Sequence, residues 1–248
     1  MVFFTWLLVI AGSLVTSNDA AQSVPDWPLS YGKLVPPLEG GIRFEFAHRV
    51  LAAVVGLLVL TLALQLRTTL GWLAAGAVFA QVLLGGAVVK LLAPRIVPII
   101  HASLAQLVFG IVVAILVKLL SDSKSLNNAG IIATAALFLQ TVLGAAARHN
   151  VMSIVPHMVG AGVATLAVMV VCLRALMNQM DDAPIRRSAI AMLGFTFFQI
   201  FLGMGSYIAR IANANEPQPM PLMVGFTVAH VAVGSLAFGS AVAFGTVA

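Results

Sequence analysis

A single cysteine, Cys172, stands in the whole chain, so no intrachain disulfide can form and no cysteine cluster can hold a metal. It falls inside an apolar run, where a packing or lipid-facing role is expected. Charge is as scarce as sulfur: Asp, Glu, Lys and Arg make up only 8% of residues, against about 25% in soluble domains. With 61% hydrophobic residues and a mean hydropathy of +1.06, the chain cannot be a water-soluble globule. Nucleic-acid binding is excluded as well. The formal charge of +5 comes without a basic tract, and basic residues of membrane proteins collect in loops and at helix ends.

What the chain has in abundance is long apolar runs, at Val2–Thr16, Phe44–Leu66, Leu70–Leu91, Ile96–Leu120, Ala129–Ala147, Ser153–Leu176, Ala189–Ile211 and Pro221–Val247. A bilayer is crossed by about 20 helical residues, so these predict eight spans in an all-α polytopic membrane protein. The first run is short and has no basic flank. It is either the apolar part of a signal peptide or a helix of a chain that begins further upstream. The absence of a small-residue cleavage pattern around Ala21-Gln22-Ser23 favours the helix.

An internal repeat organises the runs. Gln-x-x-Leu-Gly occurs as Gln81 to Gly85, Gln140 to Gly144 and Gln199 to Gly203, at intervals of 59 residues; run one keeps only the glycine, Gly12. Each full copy is followed by a basic residue near its helix end, Lys90, Arg148 or Arg210. The next run then opens with a histidine: His48, His101, His157 and His230 head runs two, four, six and eight. The unit is a helical hairpin present four times. All even runs enter from one membrane face, so the four imidazoles are expected at a similar depth near it. Gly56, Gly110, Gly160 and Gly234 lie on the even runs. The glycines permit either close helix packing or room for a flat ligand, and the glutamines either interhelical hydrogen bonds or ligand contact.

Positive charge does not orient the chain at first count. Arg67, Lys118, Lys124, Arg174, Arg186 and Arg187 lie on one side; Lys33, Arg43, Arg49, Lys90, Arg95, Arg148 and Arg210 lie on the other. Arg49, Lys90, Arg148 and Arg210 stand beside the histidines, where an anionic ligand would neutralise them. Discounting them puts the N-terminus inside and the long first loop, Ser17 to Arg43, outside. That loop contains Pro25-Asp26-Trp27-Pro28-Leu29-Ser30-Tyr31-Gly32 and then Pro36-Pro37. Its prolines and aromatics predict a rigid interfacial cap, with a simple aromatic belt as the alternative.

Four of the five histidines occupy equivalent repeat positions. A lone intramembrane histidine is commonly a hydrogen-bonded structural residue, but four in register point to ligation. The fifth, His149, has no counterpart and is expected in solvent. Zinc or copper sites call for three or four converging ligands, whereas two histidines per four-helix half suit a haem held by two imidazoles. Basic residues at the helix ends would pair with its propionates. One feature breaks the repeat. In Phe44-Glu45-Phe46-Ala47-His48-Arg49, Glu45 lies one helical turn before His48, while the corresponding residue before His230 is Thr227. A chemical step needs a group that accepts a proton or stabilises developing charge; a plain Glu45–Arg49 ion pair at the helix start is the structural alternative.

Together the Glu-Phe-x-His-Arg opening of run two, the Pro-Asp-Trp-Pro-Leu loop and the four histidines resemble the haem A synthase family over essentially the whole chain. The resemblance implies two fused, pseudo-symmetric four-helix bundles, divided at about 1–125 and 126–248. It implies a retained haem b on His157 and His230, with Arg148 and Arg210 at its propionates. Haem O would enter the N-terminal half on His48 and His101, with Arg49 and Lys90 beside it and Glu45 as the essential carboxylate. The implied reaction oxidises a ring methyl of haem O to a formyl group through successive hydroxylations, with electrons leaving through the bound haem. The implied setting is the bacterial cytoplasmic membrane, with the haem sites near its outer face. Haem O synthase and a terminal oxidase assembly pathway are the implied partners, with homo-oligomers also compatible. The chain departs from the family pattern at Val24 and Ser30, where many members carry a cysteine pair, so thiol chemistry in this loop is excluded. A di-haem b-type electron-transfer cytochrome and a haem carrier are the rival readings.

Overall fold

The computed structural model describes residues 1–90, 94–121 and 128–247. Leu91, Lys124 and the expected boundary at 125/126 lie outside them. The described chain is eight helices: α1 (Val2–Ser17), α2 (Ile42–Leu66), α3 (Thr69–Lys90), α4 (Ile96–Leu120), α5 (Asn128–Arg148), α6 (Val155–Asn178), α7 (Ala183–Ala212) and α8 (Pro221–Val247). No strand occurs among the described residues; an isolated bridge pairs Ser30 with Lys33. In hydrocarbon a helix satisfies every backbone group within itself, which is why apolar runs of this length take no other form.

Seven helices are long and apolar enough to cross a membrane, while α1 is shorter at 16 residues. Leu57, Leu64, Phe79, Leu120, Leu166 and Phe201 project from the outer faces and are exposed. The molecule is a polytopic integral membrane protein by these criteria. The helix limits match the apolar runs closely except at α7, which starts six residues earlier, at Ala183. There the Asp182 carboxylate accepts from Ile185 N at 3.1 Å and Pro184 sits in the first turn. A cap and an N-terminal proline start a helix whether or not the segment is apolar. At the other end of a span, Arg67 adopts a left-handed conformation (φ 51°) and closes α2.

Each of the first four helices packs on its sequence neighbours, and α4 returns to α1; α5 to α8 do the same, with α8 returning to α5. Contacts α4–α8, α1–α8 and α4–α5 join the two sets. Burying leucine gives little gain when the alternative is lipid, so these joints depend on small residues and interhelical hydrogen bonds. The α4–α8 joint uses both. Gln106 Nε2 donates to Ser235 Oγ at 2.8 Å in a fully buried pair. Phe109 of α4 lies against Gly239 of α8, and Phe238 of α8 against Gly110 of α4; a Cβ on either glycine would stand 2.8 Å from the opposing ring. Trp6 Nε1 on α1 donates to Ala232 O on α8 at 2.9 Å. Cys172 is buried, its thiol donating to Ala189 O at 3.3 Å, so its role is packing.

Candidate functional site

The repeat places the four histidines in the first three turns of α2, α4, α6 and α8. Tertiary packing then sorts them into two facing pairs. The His48 and His101 ring centroids are 6.5 Å apart with planes at 75°; those of His157 and His230 are 6.1 Å apart at 90°. The glycine of each repeat unit faces an imidazole. A Cβ would stand 3.2 Å from His48 Cε1 at Gly12, 3.6 Å from His101 Cε1 at Gly85, 3.1 Å from His157 Cε1 at Gly144 and 3.0 Å from His230 Cε1 at Gly203. The repeat glycine therefore sets a notch on each odd helix opposite the imidazole of the following even one.

The glutamines work one turn away. Gln81 Nε2 donates to His101 O at 2.9 Å. Gln199 meets His230 twice, through its Nε2 at 3.3 Å from the ring Nε2 and through its carbonyl at 3.2 Å from Nδ1. Gln140 packs against Gly160. Interhelical hydrogen bonding is thus what Gln81 and Gln199 do. Backbone carbonyls of Leu8 and Gln140 also stand near the His48 and His157 rings. Even so, Nδ1 of His48, His101 and His157 is buried without a hydrogen bond of good geometry. Buried polar atoms left in this way are costly and call for a partner.

Does a haem fit these residues? Metal–imidazole bonds of about 2 Å on both sides of one ion, together with the half-width of each ring, separate ring centres by roughly 6 Å. Both observed separations agree with that value; at His230, ligation through Nε2 requires the Gln199 side-chain amide, 3.3 Å away, to move off that nitrogen. No third His, Cys, Asp or Glu joins either pair among the described residues. That is too few for a bare zinc or copper ion and enough for an iron whose other nitrogens come from a porphyrin.

Around the first pair the long loop is folded onto α2. Glu45 is buried, 4% exposed; its Oε1 accepts from Arg49 Nη2 at 2.6 Å and its Oε2 from Val24 N at 3.0 Å. Arg49 Nη1 also donates to Asp26 O (2.9 Å) and Leu29 O (3.0 Å), and Nη2 lies 3.4 Å from Val24 O. The loop is stiff for local reasons. Asp26 accepts from Tyr31 N at 2.6 Å and Gly32 N at 2.7 Å, across a turn in which Tyr31 and Gly32 both have positive φ. Short acidic side chains stabilise such turns through the following N–H groups. Those bonds, the one from Gly32 first, hold the Asp26 carboxyl below its ordinary pKa, with Arg49 adding attraction. Tyr31 OH donates to Ser23 O at 2.7 Å. Trp27 rests on α3, where a Cβ on Gly86 would stand 3.3 Å from the indole. The loop expected as a cap is folded onto α2 and α3 by these contacts. Its seating on Gly86 was not foreseen; the signal was Gly86 beside the repeat glycine Gly85.

The second pair has none of this. Thr227, at the position corresponding to Glu45, shares a 2.9 Å hydrogen bond with Ser206 of α7. Arg148 crosses to the other half, donating to Thr16 O at 2.8 Å, with Asp19 Oδ1 at 3.9 Å. Arg210 is near enough to repel Arg148. Lys90 is exposed at the end of α3. His149 is half-buried rather than fully in solvent, and burial and the Arg148 charge push its pKa down. Arg95 Nη1 donates to Asn150 O at 3.2 Å, tying the start of α4 to the loop after α5.

No family model matches the chain. Over 59 residues it is 42% identical to the Heme A synthase of Symbiobacterium thermophilum, covering 24% of this chain and 19% of that protein. Over 60 residues it is 38% identical to the Heme A synthase of an Exiguobacterium species, covering 23% and 20%. Over 116 residues it is 34% identical to the Protoheme IX farnesyltransferase of Haloarcula marismortui, covering 42% and 24%. The chain thus spans about a fifth to a quarter of the length of the curated relatives it matches. These short similarities tie it loosely to haem A synthases.

Proposed function

We propose that this chain is a haem A synthase-type oxidoreductase of the cytoplasmic membrane, built as two pseudo-symmetric four-helix bundles, 1–125 and 126–248. The observation that carries the reading is the pair of glycine-notched histidine couples, each at the separation two axial imidazoles require, with an ionisable carboxylate beside one couple alone. His157 and His230 hold a resident haem b, and Arg148 and Arg210 meet its propionates. When bound, that haem supplies a one-electron relay. His48 and His101 receive the substrate, haem O, whose carboxylates lie toward Lys90 and toward Arg49, the latter reaching them only by releasing loop carbonyls. The N-terminus is inside and both couples lie near the outer face.

Oxidising a ring methyl to a formyl group, with a water supplying the oxygen and the electrons leaving to an external electron acceptor, releases protons at the substrate, so the substrate site needs a proton acceptor that the resident site does not. Glu45 is the carboxylate one turn from His48, and its bonds to Arg49 and Val24 hold it in place at the wall of that site. Haem O synthase supplies the substrate and terminal oxidase assembly consumes the product.

Co-expression with a haem O synthase, followed by extraction and chromatography of the haems, tests the reading. Haem A is the expected product. Folded, haem-loaded protein that yields none overturns the enzyme reading and leaves a di-haem electron-transfer cytochrome.

A further inference from the structure

The loop after α1 touches α2, which carries His48, and α3, whose Gly85 faces His101. On α2 it is fastened by Glu45 and Arg49, which bracket His48 in sequence. On α3 its Trp27 indole lies against Gly86, the residue after the glycine that faces His101. Trp27 is 36% exposed, so part of the ring is uncovered at the same end of the bundle as the imidazoles. The two connections beside the second couple, residues 149–154 and 213–220, contain no Phe, Tyr or Trp.

A flat aromatic ligand that comes and goes has a residence time set by the contacts it makes besides its metal ligands, and an aromatic face is one such contact. We propose that Trp27, held by the Glu45–Arg49 fastening and seated on Gly86, is the aromatic wall that sets how long a porphyrin stays on the His48–His101 couple. This rests on the reading of that couple as a porphyrin site. An indole offers a large rigid face at small entropic cost, and an offset aromatic contact contributes about 0.5–1.5 kcal/mol beyond the area it covers.

Release of ferric protoporphyrin IX from the full-length chain in detergent to apomyoglobin, followed in the Soret band, tests this. The phase lost in His48→Ala belongs to the first couple. Trp27→Ala is expected to accelerate that phase by about two- to tenfold, the equivalent of one aromatic contact, and to leave the other phase unchanged. Trp27→Phe should restore most of the residence time. Gly86→Ala, which crowds the indole without altering the loop, should accelerate the same phase. An unchanged rate in Trp27→Ala overturns the proposal, and so does equal acceleration of both phases, which would mean general loosening. Absence of any His48-dependent phase overturns the porphyrin reading of the couple itself, and this proposal with it.

Discussion

The two histidine couples share one geometry and differ in everything around it. Each has two imidazoles about 6 Å apart, set against glycines of the odd helices. Beside the first stand a half-buried ion pair, a folded loop and an indole; beside the second stand a Thr227–Ser206 hydrogen bond and two mutually repelling arginines. Repetition of a hairpin makes equivalent positions, since the same notch and the same imidazole recur. What distinguishes the couples must come from residues outside the repeat, and beside the first couple these are the Glu45–Arg49 pair, the loop it fastens and the Trp27 indole on Gly86.

The largest effect that would separate the couples is loss of the resident haem. His157→Ala or His230→Ala is expected to abolish haem b retention on purification, read from the absorbance spectrum and pyridine haemochrome, whereas His48→Ala should retain it. Retention in both C-terminal variants would remove the proposed division of labour. Next, Glu45→Ala should leave haem b in place and reduce haem A formation to background in the co-expression assay. Turnover in that variant would reduce Glu45 to a fastening of the loop.

A finer comparison comes from one substitution made at two equivalent glycines. Gly203→Ala places a methyl 3.0 Å from His230, where the imidazole must move, while Gly85→Ala places one at 3.6 Å from His101, an ordinary contact. The first should destabilise by about 1–3 kcal/mol, the range for overpacking, and shift the haem spectrum. The second should be nearly neutral in thermal melts. Equal effects would mean the notches are not specific to the imidazoles. The smallest effect concerns acid. The Asp26 pKa is lowered in the folded loop, so its stabilisation is present above the ordinary carboxylate value of about 4 and is lost as pH falls through the lower folded value. Proteolytic nicking of the 22–33 segment should therefore stay flat from neutral pH down to about 5 and increase only below the ordinary carboxylate range. Nicking that increases near pH 6 would assign the loop to another group.

How legible was this molecule beforehand? Helix limits were readable to within a few residues because apolar length is the dominant constraint on a chain in lipid. The early start of α7 escaped, since Asp182 and Pro184 begin that helix before the apolar stretch does. His48, His101, His157 and His230 were readable from register alone. Arg148 was not: placed beside the second couple by the repeat, it also reaches across to Thr16 of α1. The Phe109–Gly239 and Phe238–Gly110 clasp had a signal, an identical His-x7-Phe-Gly spacing in α4 and α8, that passes unnoticed until the helices are seen face to face.

Sequence by itself determined the number of helices, the place of the four histidines in the opening turns of the even helices and the singularity of Glu45, because those follow from apolar length, from the phase of a repeat and from a residue without a counterpart. Only the tertiary structure decided that the repeat glycines are notches for imidazoles and that Trp27 is seated on Gly86. Those are distances between segments remote in the chain, set by how helices pack and how an irregular loop closes its own hydrogen bonds.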